Sequence, residues 1–111
     1  MKPFTNSQKI SVMRVLLDII YADNRVDYRE TALFKDLVTL FELSSDVADM
    51  IEHRSAIISL LDIKEMDDEQ KEYIAVLMDK MIKVDEDINI NEVAIYDIVI
   101  DYCKIQLPFN A

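Results

Sequence analysis

An all-α fold of five to six helices is what this sequence predicts, and three observations carry the prediction. Its 111 residues include no glycine, where ordinary usage of about 7% would supply roughly eight. Tight two-residue hairpins lean on glycine, so a β fold loses its usual turns. Apolar residues recur at three- and four-residue steps, the spacing that stacks side chains on one face of a helix. Finally, Asp27 stands three residues before Glu30 and Asn89 three before Glu92. At that spacing a cap side chain and a first-turn glutamate can bond each other's free backbone amides.

The first helix is expected from about Ser7 to Asp23, with Ile10, Met13, Leu16, Leu17 and Ile20 on its apolar face. After a turn holding Val26, Asp27 and Glu30 open a second helix, along which Leu33, Phe34, Leu37, Val38 and Phe41 run to about Leu43. Ser44 or Ser45 is available to cap a short third helix from about Asp46 to His53. A fourth, from Ser55 to about Lys64, carries Ile57, Ile58, Leu60 and Leu61. Asp67 or Asp68 caps a fifth, whose stripe of Tyr73, Ile74, Leu77, Met78, Met81 and Ile82 leads to Val84. The last opens at Asn89 and carries Ile95, Tyr96, Val99, Ile100 and Cys103 to about Gln106, and Pro108 stops it. No linker or low-complexity segment divides the chain, so a single domain over 1–111 with one shared core is expected.

Composition narrows the function classes. With 22 acidic residues against 12 basic ones the formal charge is −10. A surface of this sign disfavours nucleic acid, whose binding draws on cationic side chains, and an anionic bilayer for the same reason. Met1 to Lys9 lacks the apolar core of a secretory signal, and the first hydrophobic stretch, interrupted by Arg14 and Asp18, is too short to span a membrane. Cys103 is the single cysteine, so no internal disulfide can form. The expectation is a cytoplasmic protein with no nucleic-acid partner and no direct membrane insertion. Without glycine, a phosphate-cradling loop, a dinucleotide-binding turn and a nucleophile elbow cannot be written. No serine, histidine and acid combination has a local signature, so the chain is not expected to be an enzyme.

The sequence also repeats itself. Asp85 lies 62 positions after Asp23, and at that displacement Ile20 meets Ile82, Val26 meets Ile88, Asp27 meets Asn89 and Glu30 meets Glu92. Ala32 meets Ala94, Leu33 meets Ile95 and Leu37 meets Val99 in the same register. Each copy reads helix, acidic turn, one apolar residue, Asx cap, and a helix with glutamate in its first turn. Two helical hairpins related by an internal duplication are therefore expected, packed about a pseudo-two-fold axis.

This pattern resembles the tellurite-resistance TerB-like family, whose helical repeats carry a turn of the form Ala-Asp-Gly-x-(Ile/Val)-x-x-x-Glu. The first copy reads Ala22-Asp23-Asn24-Arg25-Val26-Asp27-Tyr28-Arg29-Glu30 and the second Val84-Asp85-Glu86-Asp87-Ile88-Asn89-Ile90-Asn91-Glu92. Both depart at the family glycine, replaced by Asn24 and Glu86, and the likeness runs from about Ser7 to Leu107. The resemblance implies a TerB-like helical bundle in a cytoplasmic bacterial protein with an acidic, divalent-cation-binding surface. It further implies a role in stress response, tellurite resistance or a membrane-associated complex, without a defined reaction.

Asp23, Asp27, Glu30, Asp85, Asp87 and Glu92 are the candidate ligands for a divalent cation, calcium or magnesium, because carboxylate oxygens suit hard cations. Two readings stand for them. Asp27, Asn89, Glu30 and Glu92 have the positions of helix caps, and Asp23 and Asp85 can bond the free amides of the helix that follows. A calcium loop starting at Asp85 fails, since Ile90 stands where glycine makes the sharp turn and Tyr96 where a bidentate glutamate is required. His53 and Cys103 cannot by themselves make a four-ligand zinc site; His53 reads as a surface or capping residue and Cys103 as a buried thiol. Met50, Met66, Met78 and Met81 read as core filling. The expected function is an interaction module for a protein partner, with a cation in its acidic turns. The alternative is a metal-independent helical scaffold or adaptor.

Overall fold

The computed structural model describes residues 1–107, so the expected stop at Pro108 lies outside the described residues. Six helices follow one another: α1 (Asn6–Ile20), α2 (Tyr28–Leu40), α3 (Val47–His53), α4 (Ala56–Lys64), α5 (Asp68–Lys83) and α6 (Ile90–Tyr102). No strand occurs among the described residues. The fold class is all-α, as the glycine-free, helically periodic sequence requires.

α1 is the axis of the structure and touches each of the other five helices. Val12, Met13, Leu16 and Ile19 on it are fully buried, with Ile10, Val15 and Ile20 nearly so. Apolar residues almost all round suit a helix enclosed by others rather than one lying on a surface. Met78 and Met81 of α5, Ile51 of α3 and Ile63 of α4 complete the fully buried interior. Among the described residues, two serines are fully buried: Ser59 donates to the Ser55 carbonyl at 2.9 Å, and Ser11 donates to Asp62 at 2.7 Å and accepts from Arg54 Nε at 2.9 Å. This small network ties α1 to α4 and leaves no polar atom of Ser11 unpaired.

Helix starts follow the cap chemistry. Reciprocal boxes form at Thr5 and Gln8, Asp27 and Glu30, and Asp67 and Gln70. α3 differs: Asp46 precedes it without making a side-chain cap, while Arg14 donates to the carbonyls of Glu52 and Arg54 at 2.6 and 3.0 Å at its far end. Neither Ser44 nor Ser45 caps it; the Ser44 hydroxyl donates to Asp46 instead.

Helix ends come earlier than the apolar stripes suggest. α1 stops at Ile20 rather than Asp23, α2 at Leu40 rather than Leu43, and α6 at Tyr102 rather than Gln106. In α2 the chain leaves through Glu42 at φ 56°, with Leu43 N–H donating to the Val38 carbonyl at 3.1 Å. α6 leaves identically through Lys104 at φ 56°, with Ile105 N–H donating to the Ile100 carbonyl at 2.9 Å. This closing turn keeps Phe41, Cys103 and Ile105 in the core after the helix has ended, so the stripe outruns the helix.

The duplication is visible in the backbone itself. The four non-glycine residues at positive φ among the described residues are Asn24, Glu42, Glu86 and Lys104, which fall into two pairs at the 62-residue displacement. Asp23 accepts from the Arg25 amide at 3.0 Å and Asp85 from the Asp87 amide at 3.1 Å. Asp27 and Asn89 cap the amides of Arg29 and Asn91, both at 2.8 Å. Hairpins α1–α2 and α5–α6 are copies, with α3 and α4 between them in the chain.

Candidate functional site

The corners of the two hairpins meet at the glutamates in the third position of α2 and α6. Both Glu30 and Glu92 are only 1% exposed, an unusual place for carboxylates. One Glu30 oxygen accepts the Asp27 amide at 3.1 Å, completing its capping box; the other, Oε2, is buried without a donor. Glu92 does not close the second box. Asn89 caps Asn91, but no reciprocal bond from Glu92 to the Asn89 amide forms, and Glu92 Oε1 is likewise buried without a donor. Its carboxyl and that of Glu30 each act on the other's titration.

Two ionised carboxylates have only acceptors to offer each other, so a hydrogen bond between them requires a shared proton. Burial, then the charges on Glu30, Asp23 and Asp85, pushes the Glu92 carboxyl up to about 8. Burial also raises Glu30, against the lowering effect of its bond from the Asp27 amide. Asp23 and Asp85 raise both members as well.

In front of this pair lies an open cleft of about 270 Å³, walled by Asp23, Asp27, Asp85 and Asp87 with Arg25 and Arg29, and reaching Glu30. Asp27 is already engaged: Arg29 Nε and a terminal guanidinium nitrogen lie 3.0 and 3.1 Å from its two oxygens, and Arg29 holds its carboxyl below the usual carboxylate range. Asp23 and Asp85 bond amides within their own turns, not the amides of the following helix as the sequence suggested. Asp87 stands exposed at the rim. Among the described residues, no three acidic, histidine or cysteine side chains are closed on a common point as the ligands of an ion would be. The oxygens without donors on Glu30 and Glu92 are the ones free to take a cation.

Of the six candidate acids, Asp23, Asp27, Glu30, Asp85 and Asp87 line one cleft, with Asp27 already in an ion pair, while Glu92 is buried and not part of its wall. The meeting of Glu30 with Glu92 across the repeats is not legible residue by residue. Its signal is the duplication, which puts a first-turn glutamate at the equivalent position of each hairpin. Elsewhere, Cys103 is buried, its thiol donating to the Leu60 carbonyl at 3.4 Å and raised in pKa by burial. His53 is exposed, with Nδ1 2.9 Å from the Asp49 carbonyl. Met66, Met78 and Met81 fill the core, but Met50 is 48% exposed, because it lies on the outer face of short α3.

No family model and no curated protein matches the sequence. Among solved structures, the chain is similar to a crystal structure of a protein of unknown function from Porphyromonas gingivalis. The two share 21% sequence identity at a TM-score of 0.74, over 96% of this chain and 89% of that one. The likeness shows a shared fold. Among the described residues, no helix is long and apolar enough to cross a membrane.

Proposed function

We propose that this chain is a small TerB-like interaction module that takes up a divalent cation, calcium or magnesium, between its two acidic corners and thereby biases docking of a protein partner. The observation that carries the reading is the buried Glu30 and Glu92 pair, whose Oε2 and Oε1 atoms have no donor. Such oxygens are satisfied by a proton or by a cation, and the charges of Asp23 and Asp85 favour either. Asp23, Glu30, Asp85 and Glu92 would hold the ion, and their burial would favour partial loss of its hydration shell.

Calorimetric titration of the chelator-treated protein with calcium, magnesium, manganese and zinc tests this, alongside thermal unfolding. Saturable heat and a raised midpoint are expected, because an ion that binds only the folded chain stabilises it. The absence of both at millimolar cation overturns the cation half. A second reading, a metal-independent scaffold or adaptor, draws on the ion pair that already occupies Asp27 and on the lack, among the described residues, of any three ligands closed on one point. There, a proton alone satisfies the Glu30 and Glu92 pair.

A further inference from the structure

The acidic cleft is flanked by apolar side chains that the fold does not use. Tyr28 and Ile90, the first residues of α2 and α6, are 78% and 80% exposed, and Val26 and Ile88, two residues before each, are 51% and 61% exposed. They form two equivalent pairs at the 62-residue displacement. Val26 lines the cleft and Ile88 follows Asp87, which also lines it. Val26 thus stands in the cleft wall itself, and Tyr28, Ile88 and Ile90 each lie within three residues in sequence of an acid that lines it. Left in solvent, these four side chains add nothing to the core, and apolar ground at both corners is the kind of surface a partner covers.

Resting on the reading above, we infer that this two-cornered surface docks a basic, apolar segment of a partner protein, with lysine or arginine directed into the cleft and flanking apolar side chains packed on Tyr28, Ile90, Val26 and Ile88. Charge complementarity selects the occupant. Five acids line the cleft against two arginines, Arg25 and Arg29, the latter paired with Asp27 and lying over the Tyr28 ring, and the chain as a whole carries −10. A second copy of this acidic surface would be repelled, and so would an anionic membrane. Because a cation and a basic side chain neutralise the same carboxylates, each weakens binding of the other, by reciprocal linkage.

Fluorescence anisotropy of the full chain tests this with a labelled amphipathic peptide of leucine and lysine. A control peptide carries glutamate in place of every lysine, and mixed phosphatidylcholine and phosphatidylserine vesicles serve as the membrane arm. The lysine peptide is expected to bind, to lose affinity with salt and with added calcium, and to bind at least about tenfold more weakly to a Tyr28→Ser, Ile90→Ser double variant. Both positions are exposed, so that variant is expected to fold, as its thermal midpoint would report. Equal binding of the glutamate peptide, undiminished binding by the double variant, or binding to vesicles in place of the peptide overturns the proposal. The double variant keeps every carboxylate, which separates the two readings. Calcium heat without peptide binding to the wild-type chain overturns the docking surface alone; peptide binding without calcium heat leaves the surface standing and overturns the cation.

Discussion

Replacing Glu92 by glutamine removes a charge that the fold holds unfavourably, and the sign of the effect depends on pH. In the folded chain this carboxyl is raised from 4.5 to about 8, first by burial and then by the neighbouring charges of Glu30, Asp23 and Asp85. Below the lower value, folded and unfolded chains both keep the proton. Between the two, the unfolded chain releases it while the folded chain retains it, so stability falls as pH rises through that window. Above about 8 both are ionised and the loss is complete. A tenfold change in proton affinity corresponds to about 1.4 kcal/mol, so the full rise sets a ceiling on the order of 5 kcal/mol. Water in the adjoining cleft screens part of this, which brings the expected effect to about 2 kcal/mol. Glutamine does not titrate, and its amide can donate to Glu30 Oε2, which lacks a donor. Urea unfolding followed by circular dichroism, with chelator present, compares the two proteins across pH. Near pH 4 they should match; near pH 9 the variant should be more stable by about 2 kcal/mol, or roughly 8 °C in midpoint. A variant no more stable than wild type at alkaline pH, or a difference that does not widen as pH rises, refutes the reasoning.

Cation uptake should release close to one proton near pH 7, since a protonated Glu92 cannot serve as a ligand; titrations in two buffers of unlike ionisation heat measure it, and buffer-independent heat would contradict it. At the second corner, Glu86→Gly should stabilise the chain by about 0.5 to 1 kcal/mol, because Glu86 sits at φ 65°, where a side chain is penalised and glycine is not. Asn24→Gly should gain less, as asparagine tolerates that conformation, and chemical denaturation of both variants checks the order. Ser11→Ala should destabilise by about 1 kcal/mol, because it removes Asp62's shortest donor and Arg54's Nε acceptor while their ion pair stays; a neutral result in the same assay would count against that role.

The helices were legible because their starts are written in side chains. Asp27 with Glu30 and Asp67 with Gln70 satisfy free amides through groups that the sequence displays. Their ends were not, because the usual terminal signal is glycine and this chain has none. Glu42 and Lys104 take the left-handed conformation without advertising it, and buried Phe41 and Cys103 prolong the apolar pattern past the last helical turn. At the site, the spacing correctly marked Asn89 as a cap, but it also assigned Glu92 to a local bond. That local bond does not form; Glu92 is instead buried, and it and Glu30, far apart in sequence, act on each other's titration through a proximity that only the packing of the two hairpins creates.

Helix α3 is fastened at one end only. The guanidinium of Arg14 collects carbonyls at its tail, while the residue ahead of its first turn leaves the leading amides without a side-chain acceptor. Fraying should therefore start at Val47 and travel toward His53, exchanging amide hydrogens with solvent well before the central helix does.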